Sequence, residues 1–172
     1  MVLNDGNRVG ALNTEPTANP LANSGMDLKK IVVAFDGSED SAKAVEVAGE
    51  LTLKFAATLK VVHVYSSPFV AFTGPAGLPA PDIADLEAAA KDRGQTVLGR
   101  GLELAKRQGV TASGELLESS SIVQAIVEYS STEKADIIVI GTRGNTGFRK
   151  LLLGSVSSGV VAHAECPVLV VR

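Results

Sequence analysis

Ile31-Val32-Val33-Ala34-Phe35, followed directly by Asp36-Gly37-Ser38-Glu39-Asp40, is the most informative segment of the chain. An unbroken apolar run that opens with β-branched residues suits a strand buried on both faces, as in a parallel sheet. It stops abruptly at Asp36-Gly37-Ser38, a turn-forming triplet whose serine can cap a helix. Glu39 and Asp40 then fall in the first helical turn, where acids complement the helix dipole. Val45, Ala48, Thr52 and Phe55 recur at three- and four-residue steps, so the strand hands over to an amphipathic helix within one short turn.

The same grammar repeats downstream. Leu59 to Tyr65 reads as a second strand, and Ser66 to Pro81 as a Pro/Gly-rich loop. A long helix opens at Asp82, carries Leu86, Ala90, Val97, Leu98, Leu102 and Ala105, and stops at Lys106-Arg107-Gln108-Gly109. Gly94, Gly99 and Gly101 inside it each cost about 1 kcal/mol relative to alanine. Val110 to Leu117 is a weak, polar strand, and Ser121 starts a helix with Ile122, Val123, Ile126 and Val127 on one face. Ala135 to Gly141 contains the second continuous apolar run. A helix over about Ser155 to Ala164 follows, halted by Cys166-Pro167, and Val168 to Arg172 closes the chain as a strand.

Strands alternating with helices imply right-handed crossovers and an open, five-stranded parallel α/β sheet with helices on both faces. The runs at Ile31 and Ile137 belong in the centre and the Val110 strand at an edge, which gives the order 3-2-1-4-5. The strand order reverses between the first and fourth strands, and ligands of such sheets sit at the carboxyl ends of the strands beside the reversal. Those ends are Asp36 and Gly141.

Composition narrows the possibilities. Of 172 residues, 45% are hydrophobic and 20% charged, enough for one packed domain. A net charge of −3, no Trp, two Tyr and five Phe offer neither the field nor the stacking surface expected of a nucleic-acid binder. One cysteine (Cys166) and two histidines (His63, His163) exclude a disulfide framework and zinc-finger ligand sets. No apolar run approaches the ~18 residues of a membrane span, so no membrane association is expected and a soluble, cytoplasmic protein is. Residues 1–25 mix Asn, Pro and Gly without period or apolar block and are expected to be a disordered tail, with the folded unit over residues 26–172.

The segment from Gly141 to Val156 carries the chemistry. It reads Gly141-Thr142-Arg143-Gly144, then Asn145-Thr146-Gly147-Phe148-Arg149-Lys150-Leu151-Leu152-Leu153, then Gly154-Ser155-Val156. The glycines at 141 and 144 are expected to let backbone approach a polyanion. Gly154 and Ser155 stand where a helix begins, and the free amides and positive dipole of such an end make a phosphate site. Arg143, Arg149 and Lys150 can neutralise charge from the rim. Across the reversal, the Asp36 carboxylate can accept bonds from ribose hydroxyls or a base edge, and the backbone of Val64 can pair with an adenine edge. Asp36 has a competing use as a helix cap, but Ser38 can serve there. Phe69, Val70 and Phe72 either cover the base or make ordinary packing or dimer contacts. His63 and His163 are read as structural, and Cys166 as a small buried hydrophobe. The phosphate loop of P-loop NTPases is absent.

Taken together, Ile31 to Ser38, His63-Val64, Ala135 to Gly141, the G-x2-G-x9-G-S spacing and Cys166-Pro167-Val168-Leu169-Val170-Val171 resemble the universal stress protein family, over Asp27 to Arg172. The glycine spacing is similar to that of its ATP-binding branch. The resemblance implies a flavodoxin- or Rossmann-like fold of the adenine nucleotide alpha hydrolase-like type, a homodimer, ATP as ligand and a role in stress physiology. It maps base and ribose contacts onto Asp36 and Val64, and phosphate contacts onto Gly141, Gly144, Gly154, Ser155 and Val156. Mg2+ or Mn2+ is expected to be held mainly by the phosphates. From the residues themselves, Val168 to Val171 forms an exposed hydrophobic edge that pairing with a second copy would cover. The expected role is a nucleotide-binding regulator with slow or absent turnover, because no base or water-orienting group can be named beside the γ-phosphate. Two alternatives stay open: a slow ATPase or self-phosphorylating enzyme, and a nucleotide-free dimerisation module.

Overall fold

The computed structural model describes residues 27–66, 83–142 and 153–172. The expectations for residues 1–25 and for Phe69, Val70 and Phe72 lie outside the described residues. In chain order the elements are β1 (Lys30–Ala34), α1 (Glu39–Phe55), β2 (Thr58–Tyr65), α2 (Ile83–Arg107), β3 (Ala112–Glu118), α3 (Ile122–Thr132), β4 (Ile137–Gly141), α4 (Ser155–His163) and β5 (Val168–Val171). The strands form one parallel sheet in the order β3-β2-β1-β4-β5, as the sequence implies.

The two continuous apolar runs are indeed central. All of β4 is buried, and Ile31, Val32 and Val33 are fully inaccessible. Successive side chains point to opposite faces of a strand, and the core divides accordingly. Ile31, Val33, Phe35, Leu59, Val61, Ile137 and Val139 pack with Ala44, Val45 and Ala48 of α1 and with Leu98 and Ala105 of α2. Val32, Ala34, Val62, Ile138 and Ile140 pack with Ile126 of α3 and Val160 of α4. The helices therefore cover the sheet in pairs, α1 and α2 on one face, α3 and α4 on the other.

The glycines within α2 do not break it. A Cβ on Gly101 would stand 2.8 Å from Phe35 Cδ1 and 3.0 Å from Val61 Cγ1, so α2 rides on the sheet at a distance only glycine permits. The helix-propensity penalty is offset by that close packing. The third strand begins two residues later than the sequence suggests. Val110 is buried, but its amide donates to Ala105 O at 3.1 Å and so belongs to the wrap-up of α2. From Ala112 the strand pairs with β2, and the absence of any fully buried residue from Ala112 to Glu118 fits the expected edge position.

Polar side chains pin the opposite, amino end of the sheet. Asp136 Oδ2 accepts the backbone amides of both Lys29 and Lys30 at 2.8 Å, joining the entry to β4 to that of β1. Lys30 Nζ lies 3.0 Å from Glu133 Oε2, and this cation holds the Glu133 carboxyl below its ordinary range. Among the described residues, no helix is long and apolar enough to cross a membrane.

Candidate functional site

The site grows from the carboxyl ends of β1, β2 and β4. After β1 the chain turns through Asp36-Gly37-Ser38. Ser38 caps α1 as expected, with its Oγ accepting Ser41 N–H at 3.2 Å. Asp36 is drawn into the same turn, since its Oδ1 accepts the Ser38 amide at 3.0 Å. Ser41 is buried, and its hydroxyl donates to Ser38 O at 2.9 Å. Side chains of the turn thus accept the Ser38 and Ser41 amides at the start of α1.

The start of α4 is different. Its N-cap is Gly154, in extended geometry and with no side-chain cap. The first amides of a helix have no intrahelical acceptor, so the opening turn at Ser155, Val156 and Ser157 presents donors and the positive dipole end. Gly154 N–H donates to Thr142 O at 2.8 Å, which fixes that turn beside the end of β4.

On the side where a Cβ would stand, Gly141, at the last position of β4, meets the start of α1. A Cβ there would stand 2.7 Å from Asp40 C and 2.8 Å from Ser41 N. Backbone contact with α1 therefore already forbids a side chain at this position, a structural requirement for glycine beside the one expected from the sequence.

Between these parts lies a cavity of about 430 Å³. Asp36, Val64, Gly141, Gly154, Ser155 and Val156, all expected at the site from the sequence, line it together. Arg143 and Gly144 lie outside the described residues, as do Arg149 and Lys150. One wall is apolar, with Val62, Val64, Ile122, Ile126, Ile140 and Val156. The other carries Asp36, Ser41 and His63.

Sequence reasoning missed Ser41, Thr142, Ser157, Ile122 and Ile126 as cavity residues. The four-residue spacing of Ile122 and Ile126 on α3 was visible, but it reads equally as core packing. Nothing local marks Thr142 or Ser157, whose roles depend on which elements meet. His63 was read as a structural imidazole, and its Nδ1 is indeed satisfied, 2.8 Å from Phe35 O. A carbonyl only accepts, so Nδ1 carries the proton. The residue nevertheless borders the cavity. His163 Nδ1 likewise donates to Gly159 O, at 2.8 Å within α4. Cys166 is half-buried, and burial pushes its thiol pKa up, against a reactive role. Among the described residues, no three His, Cys, Asp or Glu side chains are grouped closely enough to hold a metal ion.

A parallel sheet covered by helices on both faces, with a cavity at the carboxyl ends of the strands beside the change in strand order, defines a Rossmann-like α/β protein. The sequence profile of the Universal stress protein family matches residues 27–172, and the chain belongs to that family. It is 39% identical over 157 residues to a universal stress protein of Methanocaldococcus jannaschii, covering 90% of this chain and 88% of that one. It is 33% identical over 146 residues to the universal stress protein YxiE of Bacillus subtilis, covering 83% and 98%. Among solved structures, the universal stress protein UspA from Lactobacillus plantarum shares the fold, with a TM-score of 0.70 at 23% identity over 84% of this chain and 98% of that one. A universal stress protein crystallised in complex with cAMP has a TM-score of 0.63 and 27% identity, over 85% of this chain and 98% of its own.

Proposed function

We propose that this protein binds an adenine nucleotide, ATP foremost, across the carboxyl edge of β1, β2 and β4, and works as a homodimeric cytoplasmic regulator in stress physiology. The observation that carries the reading is the uncapped start of α4 facing Asp36 across one cavity. The similarity to a universal stress protein in complex with cAMP supports the adenine class.

The residues fit such a ligand. Small-molecule sites run from ~300 to ~1,000 Å³ and are mostly apolar with a few placed polar groups, and the 430 Å³ space has that character. The apolar wall of Val64, Ile122, Ile126 and Val156 suits a base. The backbone of Val64 supplies the polar edge for it, and Asp36 accepts from ribose hydroxyls. The amides of the first turn of α4, with the Ser155 hydroxyl and Arg143, Gly144 and Gly141, take the phosphates. Mg2+ or Mn2+ would be carried by the phosphate oxygens. The dimer uses β5, whose Val168, Leu169, Val170 and Val171 are only half-buried on an open sheet edge.

The test is direct. With no Trp and two Tyr, the protein absorbs weakly in the near ultraviolet, so adenine carried through purification is expected in the supernatant of a heat-denatured sample. Calorimetric titration with ATP should give saturable binding and a raised melting temperature. No released adenine, no heat of binding and no thermal shift together would leave the fold without its ligand and end the proposal.

A further inference from the structure

Thr142 is 5% exposed, and each of its polar groups is engaged with a different element. Its amide donates to Val171 O on β5 at 2.7 Å. Its carbonyl accepts Gly154 N–H at 2.8 Å, and the Ser157 hydroxyl lies 3.0 Å from the same carbonyl and 3.0 Å from Gly154 O. Its own hydroxyl donates to Asp40 Oδ2, in the first turn of α1, at 2.7 Å. One residue thus joins the edge strand, the uncapped start of α4 and the serine-capped start of α1. The last of these bonds spans the point where the α1 backbone presses against Gly141.

Two of the three elements tied to Thr142 line the cavity: α1 through Ser41, and α4 through Ser155, Val156 and Ser157. Hydrogen bonds to an anion need donor–acceptor distances of about 2.7–3.2 Å and good alignment. The separation of the two walls therefore sets how well one ligand can engage both. A hydroxyl–carboxylate bond is a charge-assisted one, stronger than a neutral pair, and suits a tie of this kind.

We infer that Thr142 and Asp40 form a positioning pair for the nucleotide site, their side-chain bond holding the start of α1 in register with the strand end from which α4 is hung. The pair acts through the amides of α4 and the turn at Asp36. Its binding readout rests on the nucleotide proposal above, while its structural readout does not.

The experiment compares Thr142→Val, which keeps the shape and removes the hydroxyl, with Thr142→Ser, which restores it. Asp40→Ala is compared in the same way with Asp40→Asn, whose amide oxygen still accepts. ATP titration should show Thr142→Val and Asp40→Ala each weakened about tenfold, ~1.4 kcal/mol. The double variant should be no weaker than either single one, because both cut the same bond. Thr142→Ser and Asp40→Asn should stay within about twofold of the wild type. Unchanged affinity in Thr142→Val, additive losses, or a lowered melting temperature without loss of affinity each overturns the pair. Amide hydrogen exchange in the ligand-free protein separates this proposal from the nucleotide reading. Faster exchange at Ser155, Val156 and Ser157 in Thr142→Val and Asp40→Ala, but not in the conservative variants, supports the tie even if the wild type binds no ATP. Unaltered exchange in all four overturns it in that case.

Discussion

A methyl group on Gly141 would lie 2.7 Å from the carbonyl carbon of Asp40, inside any tolerable contact. Backbone cannot step aside as a flexible side chain can. Overpacking of a core commonly costs about 1–3 kcal/mol, and a clash of strand end against helix start belongs at the upper end. Gly141→Ala should therefore destabilise the ligand-free protein by about 3 kcal/mol in urea unfolding. Gly99 gives the contrast, since nothing lies within 4 Å of a Cβ placed there and the residue sits inside α2. Gly99→Ala should stabilise by up to ~1 kcal/mol through helix propensity and reduced unfolded-state entropy. A stable Gly141→Ala protein would mean that the α1 start does not press on β4.

That contrast shows where the sequence is legible. The strands and their order follow from Ile31 to Phe35 and Ile137 to Gly141, because a run buried on both faces has no other place than the sheet centre. The site location follows from the same order. What single positions cannot reveal is a contact between distant segments. The glycines of α2 read as weaknesses, yet Gly101 is dictated by Phe35 and Val61, residues far away in sequence. Gly141 reads as a ligand-facing glycine, and its contact with the start of α1 shows only when the two elements are laid together. Thr142 carries no local signal, since its bonds to Asp40, Gly154 and Val171 exist only once three elements converge.

Asp36 has two tasks that substitution can separate. Its Oδ1 accepts the Ser38 amide at 3.0 Å, and in the proposed complex its charge accepts from the ribose. Asparagine keeps an acceptor for the turn but loses the negative charge, whereas alanine loses both. Asp36→Ala should lower the melting temperature and weaken ATP binding at least tenfold, ~1.4 kcal/mol. Asp36→Asn should hold the melting temperature nearer that of the wild type while still weakening ATP. Equal ATP affinity in all three proteins, read by calorimetry, would place the ribose elsewhere.

The two tyrosines give the fold a signature at alkaline pH. Burial, reinforced by the nearby carboxylates of Glu133 and Glu115, pushes the Tyr129 phenol up to about 12. Tyr65, which donates to Glu118 Oε2 at 2.8 Å, is also raised, chiefly by that hydrogen bond. In the unfolded chain both titrate near their ordinary value of 10.0. A raised phenol means that the folded state holds its proton more tightly, so the contribution of Tyr129 is intact below pH 10.0 and is lost as pH climbs through about 12. With no Trp to interfere, tyrosinate absorbance reads this cleanly. In Tyr65→Phe the folded protein should show a single transition near pH 12, and the same protein in urea should show one near 10.0. Replacing Tyr129 by phenylalanine should flatten that residue's share of the stability loss between those pH values. A folded-state transition at the unfolded position would show that the phenol sits in water rather than between α3 and the edge of the sheet.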